Sequence, residues 1–161
     1  MISEEKNRIN AYKSYNEILK LSLYDKIALT EKIKRQQHFL LQSVLKYCDG
    51  VSYNTSEKLI SIIQLIWVYY DIYYFLNKTQ LTEELLLKMQ QRNYQKFISF
   101  QNAGKEDYSE LLADFNQHEL YYYAAKIIMK LDESFDFQFT ISMYVKSIID
   151  AFEEMYSRRN F

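Results

Sequence analysis

Residues 59–76 read LISIIQLIWVYYDIYYFL, and the setting of this stretch decides the fold. Its length reaches the minimum for a membrane-spanning helix. Three features argue for a different setting. Asp71 would cost about 2.5–3.5 kcal/mol near the centre of a bilayer. Tyr69, Tyr70, Tyr73 and Tyr74 lie within the segment, whereas the tyrosines of a span gather at its two ends. Lys58 and Lys78 flank it evenly, so no basic excess orients it. The expectation is a buried central helix, not a membrane span.

At about 100° per residue, Leu59, Ile62, Ile63, Ile66 and Trp67 share one arc. Tyr69, Tyr70, Tyr73 and Tyr74 continue it. Leu65, Val68, Ile72, Phe75 and Leu76 cover most of the opposite side. Gln64 and Asp71, with Ser61 nearby, form the one strongly polar wedge. A helix apolar almost all round belongs at the centre of a domain. Gln64 and Asp71 then face a water-accessible seam or are hydrogen-bonded inside.

Outward from this helix, the 161 residues contain no proline and two glycines, Gly50 and Gly104. That disfavours a turn-rich β fold and permits long helices. Helical spacing of Ile9, Tyr12 and Leu19 predicts a first helix over 3–20, with Ser3 as N-cap. Leu23, Ile27, Leu40, Leu41, Val44 and Tyr47 mark residues 23–48, where the polar stretch 30–37 is a candidate break. The central helix spans about 57–76 and is capped by Asn54, Thr55 or Ser56. Thr82 caps the next helix, to about residue 101, and Glu83 and Glu84 suit its positive end. Tyr108, Leu111, Phe115, Tyr122, Ala125 and Met129 align over about 106–131. Ile141, Tyr144, Ile148, Phe152 and Met155 align over about 138–158. No linker, repeat or low-complexity block divides the chain. The expected architecture is all-α: one domain over 1–161, a bundle of five to six helices around the central one.

The net charge of −1 makes no electrostatic case for nucleic acid or a membrane. A single cysteine, Cys48, excludes an internal disulfide and a cysteine-rich metal site. The opening MISEEKNR lacks the apolar run of a signal peptide, so a cytoplasmic location is expected. Abundant Lys, Ile, Asn, Tyr and Phe match the codon bias of an AT-rich bacterial or phage genome.

Lys88, Arg92 and Lys96 stand four residues apart and form a basic stripe; Glu106, Glu110 and Asp114 form an acidic one. Across a hairpin closed at 102–105, Lys96 would oppose Glu110 and Arg92 would oppose Asp114, as partly exposed ion pairs. Read alternatively, Gln90, Gln91, Asn93, Tyr94 and Gln95 interleave amides and an aromatic ring with the cations, as a phosphate-contacting face would. His118 follows Asp114 by four residues, a spacing that suits acid–base chemistry or metal binding. His38 is remote and no Glu-x-x-His pair exists, so a hydrogen-bonded structural histidine is the favoured reading. Cys48 lies near a helix C-terminus, where the dipole raises a thiol pKa. There is no Gly-x-Ser-x-Gly elbow, P-loop or dinucleotide fingerprint. No catalytic residue, cofactor or metal is expected.

Tyrosine is the compositional anomaly, with 16 residues. Tyr121, Tyr122 and Tyr123 span about 200° of a helix, so at least one reaches the surface, where tyrosine suits protein interfaces. Trp67, Tyr70, Asp71 and Tyr74 are the candidates for lining a pocket. The expected function is a non-enzymatic interaction module: an inhibitor, immunity-type protein, adaptor or small assembly subunit. Another protein is the expected partner, bound through Lys88, Arg92, Tyr94, Lys96 and Tyr121–Tyr123; a homo-oligomer is compatible with the same surface. The alternative is a nucleic-acid-associated protein using Lys88, Arg92, Tyr94 and Lys96, with Lys32, Lys34 and Arg35 in support.

Overall fold

Short polar residues ahead of apolar runs set where the helices begin. The computed structural model describes residues 4–74, 80–104 and 117–159, with side chains over 5–72, 80–104 and 117–156. These residues form α1 (Glu4–Lys20), α2 (Leu23–Gln36), α3 (His38–Leu45), a 3-10 turn (Lys46–Cys48), α4 (Tyr53–Tyr74), α5 (Glu83–Asn102), α6 (His118–Ile128) and α7 (Phe135–Arg159). The architecture is all-helical, and the described residues include no strand. The described residues hold seven α-helical segments, where five to six were expected for the chain.

Four helices open on a Ser or Thr hydroxyl that accepts an otherwise unpaired N–H. Ser22 accepts from Asp25 at 3.1 Å and Thr82 from Leu85 at 3.2 Å. Ser134 accepts from Phe137 at 3.2 Å. The cap of α4 is Ser52, whose Oγ accepts the Thr55 N–H at 3.1 Å, rather than Asn54, Thr55 or Ser56. Thr55 is buried and spends its own hydroxyl on Glu133 Oε1, 3.0 Å away, tying the start of α4 to the α6–α7 connection. Ser3 lies outside the described residues.

The break within 30–37 falls at Gln37, whose backbone leaves the helical region at φ −135° and ψ 57°. Its buried side chain accepts the Leu81 N–H at 2.9 Å. The kink between α2 and α3 thereby anchors the chain entering α5. After the 3-10 turn, Gly50 reverses the chain at φ +77°, a value glycine adopts without the clash of a Cβ.

Ile62 to Tyr70 of α4 are buried without interruption. The helix packs against α1, α2, α3 and α6, and α5 packs mainly along α7. One cluster of buried apolar residues draws on every described helix, and in it Tyr70 stacks on Phe152 at 4.9 Å. Gln64 takes the inside option. Its amide donates to Lys26 O at 3.2 Å and Thr30 Oγ1 at 3.1 Å on α2. Asp71 is half-buried. No helix among the described residues is long and apolar enough to cross a membrane.

Candidate functional site

Helical spacing places Lys88, Arg92 and Asn93 on the side of α5 that meets α7. The α7 residues opposite, Lys146, Ser147, Asp150 and Glu154, repeat the same three- and four-residue rhythm. Lys88 reaches Glu154 at 4.0 Å and Arg92 reaches Asp150 at 3.3 Å. Two members of the basic stripe, Lys88 and Arg92, therefore meet carboxylates of α7; Glu106, Glu110 and Asp114 lie outside the described residues. Asp150 Oδ2 also takes Lys146 Nζ at 2.7 Å and Asn93 Nδ2 at 2.9 Å. Lys146 Nζ donates to Asn93 Oδ1 at 3.0 Å, and Asn93 Nδ2 donates to Ser147 Oγ at 3.1 Å. Lys146 is 4% exposed, Asp150 3% and Asn93 2%. A charged pair this deep survives only because each member is also hydrogen-bonded. Lys88 and Glu154 are open to water and contribute about 0–1 kcal/mol.

Beside this network lies a cavity of about 310 Å³. Its walls are Tyr47, Phe97, Phe139, Met143 and Tyr144, and its floor is Asn93 and Ser147, both almost fully buried. Tyr94, 65% exposed, and Thr140, also exposed, stand at its mouth. The rings pair as Tyr47–Tyr144 and Phe97–Phe139, each with centroids 4.9 Å apart. The Tyr144 hydroxyl shares a hydrogen bond with Ser43, and burial raises the Tyr144 pKa. Of the residues anticipated for the α5 face, Gln90, Asn93 and Tyr94 border this cavity.

The expected pocket residues sit elsewhere. Trp67 and Tyr70 are sealed in the core, Asp71 is half-buried, and the Tyr74 side chain lies outside the described residues. The Lys32 ammonium sits 5.0 Å over the Trp67 ring, a cation–π contact that engages one of the supporting basic residues. Tyr70 donates to Glu153 Oε1 at 2.8 Å, and Gln117 donates to the same oxygen at 2.8 Å. Tyr69 donates to Gln117 Oε1 at 2.9 Å, which extends the chain of polar groups into the core. Burial pushes the Glu153 carboxyl above the usual carboxylate range. The Tyr70 and Gln117 hydrogen bonds oppose that shift and the Asp150 charge adds to it.

The three consecutive tyrosines divide as helical geometry requires. Tyr122 is 52% exposed, while Tyr121 and Tyr123 are half-buried. Tyr123 stacks on Tyr15 of α1 at 4.7 Å and approaches Tyr12 at 6.2 Å. Lys126 lies 4.9 Å over the Tyr122 ring. His118, expected to be a structural histidine, is the exposed first residue of α6. Burial pushes the Cys48 thiol up, and a Ser56 hydrogen bond partly offsets the rise. No group of three or more metal-ligating side chains occurs among the described residues.

The surface departs most from the sequence reading at α1 and α2. The apolar stripes expected to face the core point outward. Ile9, Tyr12, Leu19, Leu23, Tyr24 and Ile27 are between 46% and 80% exposed. Inward, α1 turns Asn10, Ala11, Ser14 and Ile18, and the buried Asn10 Nδ2 and Ser14 Oγ have no hydrogen-bond partner. In α2 only Ile33 is buried. Leu23 and Ile27 line a groove of about 240 Å³ between α2 and α4, with Tyr53 and Ile60 opposite. Lys26 and Glu57, 3.8 Å apart, span its edge.

Set against protein-family models, curated proteins and solved structures, the chain matches none of them.

Proposed function

We propose that this protein is a non-enzymatic helical module that binds another protein through the outer face of α1 and α2. The observation that carries this reading is their inverted polarity. Two consecutive helices hold six large apolar side chains in water while α1 buries an amide and a hydroxyl with no partner. Large apolar side chains left exposed on consecutive helices are how interaction surfaces are recognised. The α2–α4 groove supplies the anchor point. Its 240 Å³ exceeds the ~150 Å³ cavity that accepts a benzene-sized group, so it holds one large apolar side chain of a partner. An amphipathic helix fits best, its apolar residues entering at Leu23, Ile27 and Tyr53 and its polar flank meeting Lys26 and Glu57. An inhibitor, an immunity-type protein, an adaptor and an assembly subunit would all use such a face; they differ in what binds it.

The ion pairs on α5 favour this over a nucleic-acid partner. Lys88 and Arg92 face Glu154 and Asp150, so phosphate contacts would have to displace neighbouring carboxylates. The test is quantitative affinity capture from the native source with wild type, Ile27→Glu and Leu87→Glu. Leu87 is an exposed apolar residue of α5 and serves as the control surface. One partner should be captured by wild type and by Leu87→Glu and be lost with Ile27→Glu. Equal recovery with all three would place the interface elsewhere.

A further inference from the structure

We propose that the α5–α7 cavity is a binding site for a small, flat, uncharged aromatic molecule carrying one N–H or O–H donor, of the indole or phenol class. Volume and shape set the first limits. At about 310 Å³ the cavity holds roughly twice what a ~150 Å³ benzene site does. Its walls present two ring pairs, Tyr47–Tyr144 and Phe97–Phe139. Flat rings meet such walls by stacking and edge contacts.

The floor sets the polarity. Asn93 Nδ2 has two hydrogens, and both are engaged, by Ser147 Oγ and Asp150 Oδ2. The Ser147 hydroxyl hydrogen goes to Met143 O at 2.8 Å. What the two floor side chains still offer is one acceptor position on Asn93 Oδ1 and one on Ser147 Oγ. A ligand reaching them must bring a donor. An anion would meet lone pairs there. A cation would come close to Lys146 Nζ, which already lies 3.0 Å from Asn93 Oδ1, while the nearby Asp150 carboxylate is already shared by Lys146 and Arg92. A neutral donor meets neither penalty. Further donors enter only at the outer wall, from Gln90 and the tyrosine hydroxyls.

The buried Lys146–Asp150 pair gives this floor its rigidity. It locks the Asn93 amide in one orientation from both ends. The cavity is thus a built site, with polar side chains almost fully withdrawn from water beneath an aromatic mouth. It is independent of the α1–α2 face, since no residue lines both the cavity and the groove.

The experiment titrates the whole protein with indole by calorimetry and by chemical-shift mapping. Benzothiophene (no N–H), tryptamine (a cation) and indole-3-carboxylate (an anion) are titrated in parallel. Indole should bind saturably with Kd below about 1 mM and shift residues 93–97 and 139–147. Benzothiophene should bind about fivefold more weakly, the loss of one neutral hydrogen bond, and both charged analogues should bind more weakly than indole. Thr140→Trp, a change at the exposed mouth, should fill the cavity and abolish binding with the helical CD spectrum retained. Tyr94→Ala, at a largely exposed position, should weaken binding several-fold and carries the test if Thr140→Trp does not fold. The proposal is overturned by no saturable indole binding, by benzothiophene or a charged analogue matching indole, or by both mouth variants binding like wild type.

Discussion

Truncating Asp150 to alanine should be among the most damaging single changes in this protein, although it deletes only a carboxylate. Asp150 Oδ2 takes Lys146 at 2.7 Å, Asn93 at 2.9 Å and Arg92 at 3.3 Å. Without it, Lys146 stays 4% exposed and loses the carboxylate 2.7 Å from its ammonium. Removing one partner of a buried pair costs about 3–5 kcal/mol, because the other charge is stranded. Arg92 adds little, since its side chain is 42% exposed and can turn to water. For a chain of this length each kcal/mol lowers Tm by about 2–4 °C, so the melting point should fall by roughly 6–20 °C. The double variant Lys146→Met, Asp150→Asn removes both charges. The new amide at position 150 can exchange hydrogen bonds with Asn93, so stability should return to within about 1.5 kcal/mol of wild type. Urea unfolding followed by far-UV CD measures Asp150→Ala together with wild type, Lys146→Met, Asp150→Asn and the double variant, the four corners of the cycle. An Asp150→Ala cost under about 1 kcal/mol, or a double variant no more stable than the worse single one, would refute the reasoning.

Glu153 supplies a pH signature. Its folded pKa is raised by burial, so its favourable contribution is complete below the ordinary carboxylate range and is lost as pH rises through the raised value. E153Q keeps an acceptor for Tyr70 and Gln117 and does not titrate. The wild-type Tm minus the E153Q Tm should therefore fall as pH rises above the ordinary carboxylate range, about 4; a rise in that direction contradicts the assignment. Ser14→Ala removes a buried hydroxyl with no partner and should stabilise by about 0.5–1 kcal/mol, read as a higher urea midpoint at unchanged m-value. Ile27→Glu lies on an exposed position and should change stability by no more than about 0.5 kcal/mol, so that any loss of binding is not a loss of fold.

Much of the fold is legible in the sequence because it rests on local rules. The buried run of α4 follows from an apolar pattern that closes around the whole helix. Ile141, Tyr144, Ile148, Phe152 and Met155 of α7 are all buried, as their spacing predicts. Thr82 is a local cap with an acidic first turn and needs no tertiary knowledge. The break at Gln37 was confined to 30–37 by polarity, but its position depends on a bond to Leu81, 44 residues away. Periodicity also finds an apolar stripe without saying what covers it. Ile9, Tyr12, Leu19, Leu23 and Ile27 carry the spacing of core residues and lie in water. The partners of the basic stripe were equally beyond local reach. Lys88 and Arg92 meet Glu154 and Asp150 because α5 packs on α7, a contact that no local spacing announces. The cavity follows from that same packing, which brings Phe97 to Phe139 and Asn93 to Ser147.

The outer face of α1 and α2 is tested most directly by site-specific photo-crosslinking in the native source. A photoreactive phenylalanine analogue replaces Tyr24 or Ile27 on that face, and Leu87 or Tyr94 on α5. Positions 24 and 27 should each yield a cross-link to the same single protein, and positions 87 and 94 should yield none. Cross-links confined to 87 and 94, or none at 24 and 27 while a partner is still captured, would contradict the assignment of this face.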